Sequence, residues 1–179
     1  MKLGLISAIL GDLSFEEMID FLAECGLECV EVACWPKGKA ERRYAGVSHI
    51  DVDTLDDEKC AHILDYCQKK GVEISSLAYY PNTMDPDVAK RTAYIEHLHK
   101  LIDASAKLGV NMITTFIGRD PKKTVSQNLE LVKEIWPPIL DHAKEKGVKV
   151  AIENCPMLFT EDEWPGGQNL MTTPAIWRQ

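Results

Sequence analysis

Residues 146–156 read KGVKVAIENCP, and this stretch decides the fold. Gly147 follows a helical pattern and opens an apolar alternation of Val148, Val150 and Ile152 with Lys149 and Ala151. The run ends on Glu153 and Asn154, a carboxylate and an amide where an apolar strand stops. In a strand, alternate side chains take opposite faces. Val148, Val150 and Ile152 therefore share one face, and Ala151 and Glu153 share the other.

The same helix–Gly–strand junction recurs along the chain. It appears as Cys25-Gly26-Leu27, Lys70-Gly71-Val72, Leu108-Gly109-Val110 and Lys146-Gly147-Val148, with the glycines 45, 38 and 38 residues apart. A unit of one strand and one helix, repeated about every forty residues, predicts successive βα units and a parallel sheet. The predicted strands cover 2–7, 28–32, 72–80, 110–118 and 148–153. The predicted helices cover 14–26, capped by Ser14 with Glu17 in a capping box, 54–71 with a Thr54 cap, 87–109, 124–147, and the start of a fifth at 172–179. Pro137-Pro138 predicts an interruption in the fourth helix. A dinucleotide-binding sheet would need a Gly-rich turn after the first strand, and SAILGDLS (7–14) has one Gly. The long segments 33–53 and 154–171 instead suit a (β/α)8 barrel, whose working face is built from the loops after the strands. Residues 1–179 read as one domain.

The length of 179 residues supports one sizeable core. Net charge is −8, which argues against a nucleic-acid surface. No apolar run approaches the ~18 residues of a membrane span, and MKLGLISAIL (1–10) lacks the pattern of a secretion signal. The six cysteines form no CxxC pair and read as reduced thiols of a cytoplasmic protein.

With TFIGRDP (115–121) and LGLISAIL (3–10) beside AIENCP (151–156), the chain resembles the xylose-isomerase-like TIM barrels. That superfamily contains sugar phosphate isomerases and epimerases, and endonuclease IV. The resemblance runs through all 179 residues and matches the first five of eight βα units, an incomplete N-terminal portion of the barrel. It implies that Glu153 binds a divalent metal (Mn²⁺, Mg²⁺ or Co²⁺) and takes part in proton transfer. It places the remaining ligands, an Asp, a His and a Glu, on strands six to eight, beyond Gln179. The implied activity is a metal-dependent isomerase or epimerase moving a proton next to the carbonyl of a small sugar or sugar phosphate. The alternatives are an inosose-dehydratase-like lyase on the same fold and an inactive partial barrel. An endonuclease IV-like site would need histidines at the ends of strands three and four, and SSLAYY (75–80) and MITTFIG (112–118) have none.

The candidate substrate-binding residues are Trp35, Glu31, His49, Phe116, Asn154 and Trp164. Trp35 follows strand two, Phe116 ends strand four and Trp164 lies in the loop after strand five, where aromatic faces can stack on the apolar face of a sugar. Glu31 reads as inward-facing, and His49 lies in the long loop after strand two. His62, His97, His99 and His142 fall on helices and read as packing or surface residues. Arg119 offers a contact for a phosphate or carboxylate, and the basic loop 37–43 reads as solvated. Counting six residues from each junction glycine sets Leu77 and Thr115 level with Glu153. On that count Leu77, Tyr79, Thr115 and Phe116 line the pocket, and Ile6, Ile113 and Ala151 face the axis. Five strands do not close an eight-strand barrel. The expectation is a natural chain of roughly 250 residues or more, and self-association if these 179 stand alone.

Overall fold

The computed structural model describes residues 1–37, 45–155 and 167–179. The elements run β1 (Gly4–Ile6), a 3-10 turn (Ser7–Leu10), α1 (Phe15–Glu24), β2 (Cys29–Ala33), α2 (Asp57–Lys70), β3 (Glu73–Ala78), α3 (Val88–Lys107), β4 (Met112–Thr115), α4 (Val125–Glu145), β5 (Lys149–Ile152) and α5 (Pro174–Trp177). The five strands form one sheet in the order β1-β2-β3-β4-β5, and every neighbouring pair is parallel. This is the N-terminal arc of a TIM barrel, five βα units long.

Local chemistry explains the boundaries. Ser14 accepts from the Glu17 amide while the Glu17 carboxylate accepts from the Ser14 amide, so α1 opens on a capping box. Asp87, Thr124 and Thr173 cap α3, α4 and α5. Asp56, and not the expected Thr54, caps α2, accepting from the Lys59 amide at 2.8 Å. A carboxylate at this position also meets the positive end of the helix dipole. Gly26, Gly71, Gly109 and Gly147 take φ of 71°, 70°, 68° and 69°, the left-handed turn that sends each helix into the next strand.

The expected break at Pro137-Pro138 is absent, and α4 runs unbroken from Val125 to Glu145. Proline inside a helix costs about 3 kcal/mol. Here the flanking turn is pinned to the core. Trp136 and Ile139 are buried, and the Trp136 indole N–H donates to the Ile117 carbonyl at 3.2 Å.

The core lies between the sheet's outer face and the helices. Val30, Val32, Leu77 and Ile113 point outward from the strands, packing with Met18, Ile19, Leu22, Leu98 and Leu101 from the helices. The opposite face of the sheet is the inner wall of the arc. No helix of the described residues is long and apolar enough to cross a membrane. All six cysteines are free thiols.

Candidate active site

Register fixes which side chains share the inner wall. Ile6 pairs with Glu31 and Glu31 with Ser76, while Ala78 pairs with Thr114 and Thr114 with Ala151. Two residues further along, Tyr80, Phe116 and Glu153 come level at the C-terminal ends of β3, β4 and β5. The Glu153 amide continues the ladder by donating to the Thr115 carbonyl at 3.0 Å. A pocket of about 310 Å³ opens there, lined by Ile6, Glu31, Tyr80, Thr114, Ala151 and Glu153, with Ile152 at its margin.

Two carboxylates therefore face one pocket, and their surroundings differ. Glu31 accepts from both Tyr80 Oη and Ser76 Oγ, the latter at 3.1 Å. Glu153 has no side-chain donor among the described residues. Partial burial, helped by the Glu31 charge, pushes the carboxyl of Glu153, which stays solvent-exposed, above the ordinary glutamate range. Burial, followed by the Glu31 charge and hydrogen bond, likewise pushes the Tyr80 phenol upward, so it stays a protonated donor. Tyr80 also packs against Phe116, with ring centroids 4.7 Å apart.

The end of β5 is held from the loop that follows it. Asn169, buried in the return leg of that loop, donates from Nδ2 to the carbonyls of Glu153 at 3.0 Å and Cys155 at 2.7 Å. The neighbouring Leu170 amide donates to the Gly118 carbonyl at 3.0 Å, tying the same leg to the end of β4. Asn169→Ala removes both donors to strand-end carbonyls. The expected loss is about 2 kcal/mol, read as a lower urea midpoint, with faster amide exchange at Glu153 than in β1. Unchanged exchange at Glu153 would show that the clamp does not hold the strand end.

The expected site residues divide by position. Glu31 and Glu153 share the pocket, Phe116 supports its wall through Tyr80, and Asn154 lies exposed one residue beyond Glu153. Trp35 packs edge-on against Tyr79, with centroids 4.9 Å apart, on the helix side of the sheet. His49 joins the loop after β2 to the turn after β1. Its Nε2–H donates to the Leu10 carbonyl at 3.3 Å, and its Nδ1 accepts from Ser7 Oγ at 3.0 Å. Ser7 Oγ in turn accepts from the Ala33 amide at 2.8 Å. Burial pushes the His49 pKa down and so favours the neutral ring, and with Nε2–H committed to the Leu10 carbonyl this leaves Nδ1 as the acceptor. Trp164 and most of the basic loop 37–43 lie outside the described residues.

The pocket wall expected from Leu77, Tyr79 and Thr115 is corrected: all three are buried on the helix side, as is Ile113. Counting from the glycines fails for two reasons. β3 carries an extra residue at Ser75, opposite the step from Val30 to Glu31, which flips its alternation. Met112, three residues past Gly109, pairs with Lys149, two past Gly147, so β4 runs one residue late. Tyr80, Ser76, Thr114 and Asn169 were missed for this reason or because they act from a distant loop.

A larger groove of about 510 Å³ lies at the opposite end, between the starts of β3 and β4 and the ends of α2 and α3. It holds Gln68, Glu73, Ser75 and Asn111 but faces away from the strand C-termini, where barrels of this type do chemistry.

Residues 19–175 match the family described as xylose isomerase-like TIM barrel, and the chain belongs to that family. No curated protein matches it. Among solved structures it is similar to a D-psicose 3-epimerase from Clostridium cellulolyticum H10, with a TM-score of 0.66 and 18% identity over 90% of this chain and 55% of that one. A probable 3-DHS dehydratase, AsbF, from Bacillus anthracis gives a TM-score of 0.66 and 18% identity over 87% and 53%. An IolI protein with a bound zinc atom gives 0.60 and 16% over 85% and 51%. The chain spans about half the length of these structures.

Proposed function

We propose that the pocket is part of the active site of a metal-dependent isomerase or epimerase. It would move a proton next to the carbonyl of a small sugar or sugar phosphate, in the cytoplasm. The supporting observation is Glu153, a carboxylate with no side-chain donor among the described residues, on the inner wall at the end of β5 and facing the same pocket as Glu31. The oxygen-only donor set suits a hard divalent ion such as Mn²⁺, Mg²⁺ or Co²⁺, with Glu153 as ligand. The described residues contain no group of three His, Cys, Asp or Glu side chains able to hold a metal, so further ligands have to come from elsewhere. When bound, such an ion supplies polarisation of the substrate carbonyl. Glu153, facing the pocket without a side-chain donor among the described residues, is suited to taking a proton from the adjacent carbon and returning it. Phe116 and Tyr80 give the wall an aromatic surface, and Asn154 offers an amide at the rim.

Two neighbouring readings use the same geometry. A lyase acting on a cyclic polyol ketone, inosose-dehydratase-like, would release water and leave a conjugated product, and a dehydratase stands among the structural neighbours. An inactive partial barrel would neither bind Mn²⁺ nor turn over substrate. An endonuclease IV-like site is disfavoured, since Ala78, Tyr79, Tyr80, Thr115 and Phe116 occupy the ends of β3 and β4.

Glu153→Gln is the deciding variant. In a chain that carries the remaining βα units, Mn²⁺ affinity, read by calorimetry, falls at least about tenfold, and ketose epimerisation falls to background. Unchanged affinity and turnover would sink the assignment. The same variant has a signed effect on stability. A carboxyl whose folded pKa is raised costs stability as pH rises through that pKa. In the metal-free chain Glu153→Gln therefore raises the thermal midpoint slightly at neutral pH, solvent screening most of the effect at this exposed position, and the gain vanishes at acid pH where Glu153 is already protonated.

A further inference from the structure

Glu31 is held by two donors, one on each oxygen: Tyr80 Oη on Oε1 and Ser76 Oγ on Oε2. Both donors come from β3 and its extension, and the stack of Tyr80 on Phe116 fixes the phenol's direction. A carboxylate offers about four acceptor positions. Two are taken, leaving two for a ligand. Having given their protons to Glu31, Tyr80 and Ser76 present only lone pairs to anything else. Among the described residues the pocket lining contains no Lys, Arg or His. The wall thus combines fixed acceptors with negative charge and no counter-cation.

We propose that Glu31, positioned by Tyr80 and Ser76, binds hydroxyl groups of a neutral polyol and excludes a phosphorylated end from this wall. The assignment rests on the sugar isomerase or epimerase reading and narrows its substrate class. Sugar hydroxyls donate, and among the described lining the one further side-chain hydroxyl, that of Thr114, spends its proton on the Leu77 carbonyl at 3.5 Å, so no free side-chain donor competes. A phosphate at neutral pH chiefly accepts, finds no cationic or free side-chain donor in the described lining, and is repelled by the carboxylates.

The test is calorimetry and amide NMR on the 179-residue chain, with D-fructose and D-fructose 1,6-bisphosphate as probes, with and without Mn²⁺. The bisphosphate has no free end to offer. D-fructose shifts the amides of Glu31, Ser76 and Tyr80, and the bisphosphate binds at least about tenfold more weakly. Tyr80→Phe weakens D-fructose binding about tenfold, the size of one hydrogen bond to a charged group. Ser76→Ala does the same and Ser76→Thr restores it, a rescue that also serves if Tyr80→Phe fails to fold. Glu31→Gln weakens D-fructose binding and shrinks the gap between the two probes. Absence of D-fructose binding, equal or tighter binding of the bisphosphate, or unchanged affinity in both Tyr80→Phe and Ser76→Ala overturns the proposal. A chain that binds D-fructose through Glu31 but no Mn²⁺ keeps it and removes the metal reading. A chain that binds Mn²⁺ through Glu153 but no D-fructose does the reverse.

Discussion

Gly118→Ala lowers the stability of this chain by about 3 kcal/mol or more, equivalent to roughly 6–12 °C in thermal midpoint. Gly118 stands just past β4 with φ of 81°, where an L side chain costs about 1–2 kcal/mol. A Cβ there would also sit 2.4 Å from Asn82 Oδ1, 2.8 Å from the Thr83 amide nitrogen and 2.9 Å from that of Met84. Two of those three neighbours are backbone, so relief requires moving the loop after β3. That loop is stitched to the one after β4. Asn82 accepts from the Arg119 amide and donates to the Arg119 carbonyl, both at 2.8 Å, and Thr83 Oγ1 donates to the Ile117 carbonyl at 2.7 Å. Displacing it strains the strand ends that carry Tyr80 and Phe116. Gly26→Ala is the control: φ is 71°, but nothing lies within 4 Å of its added Cβ. It should cost only about 1 kcal/mol. Equal losses in the two variants would show that backbone conformation, and not the crowded approach, decides the effect at Gly118.

The order of elements was legible because it depends on local chemistry. Gly26, Gly71, Gly109 and Gly147 mark the helix-to-strand turns by the one conformation glycine takes cheaply, and Ser14 with Glu17 announces α1. Glu153 was legible for a related reason, since a short regular strand after Gly147 fixes its parity. The wall opposite was not. Parity along β3 depends on the extra residue at Ser75, whose hydroxyl donates to the Val30 carbonyl at 3.0 Å, and nothing in GVEISSLAYY (71–80) announces it. One residue of slip exchanges the two faces of a strand. Tyr79 and Tyr80 are adjacent and chemically identical, yet Tyr79 meets Trp35 and His97 on the helix side while Tyr80 meets Glu31 in the pocket. Pro137-Pro138 misled in the opposite sense, because tertiary packing of Trp136 and Ile139 outweighs a local helix-breaking signal.

In solution the 179-residue chain is expected to self-associate. β1 pairs only with β2 and β5 only with β4, so the sheet has two open edges among the described residues. The Lys149 and Glu153 amides donate to the carbonyls of Asn111, just before β4, and Thr115, at its end, which leaves the alternate residues Val150 and Ile152 directing their peptide groups to the open side of β5. Beside β1, Leu3 and Ile9 are 68% and 51% exposed. Ile6 and Ala151 on the inner wall have only the open pocket before them. An apolar surface of several hundred Å², at about 25 cal/mol per Å², is worth on the order of 10 kcal/mol, comparable with the whole stability of a domain. Unpaired edges of this kind template further strands. Light scattering over a concentration series should therefore report masses above the 20.1 kDa of one chain, rising with concentration. Ile152→Pro removes an outward amide without touching the ladder to β4, so it should shift the distribution toward one chain while the helical signal stays in place. A monomer at every concentration, with Ile152→Pro indistinguishable from the parent, would mean that the edges and inner wall are closed by some other part of this chain.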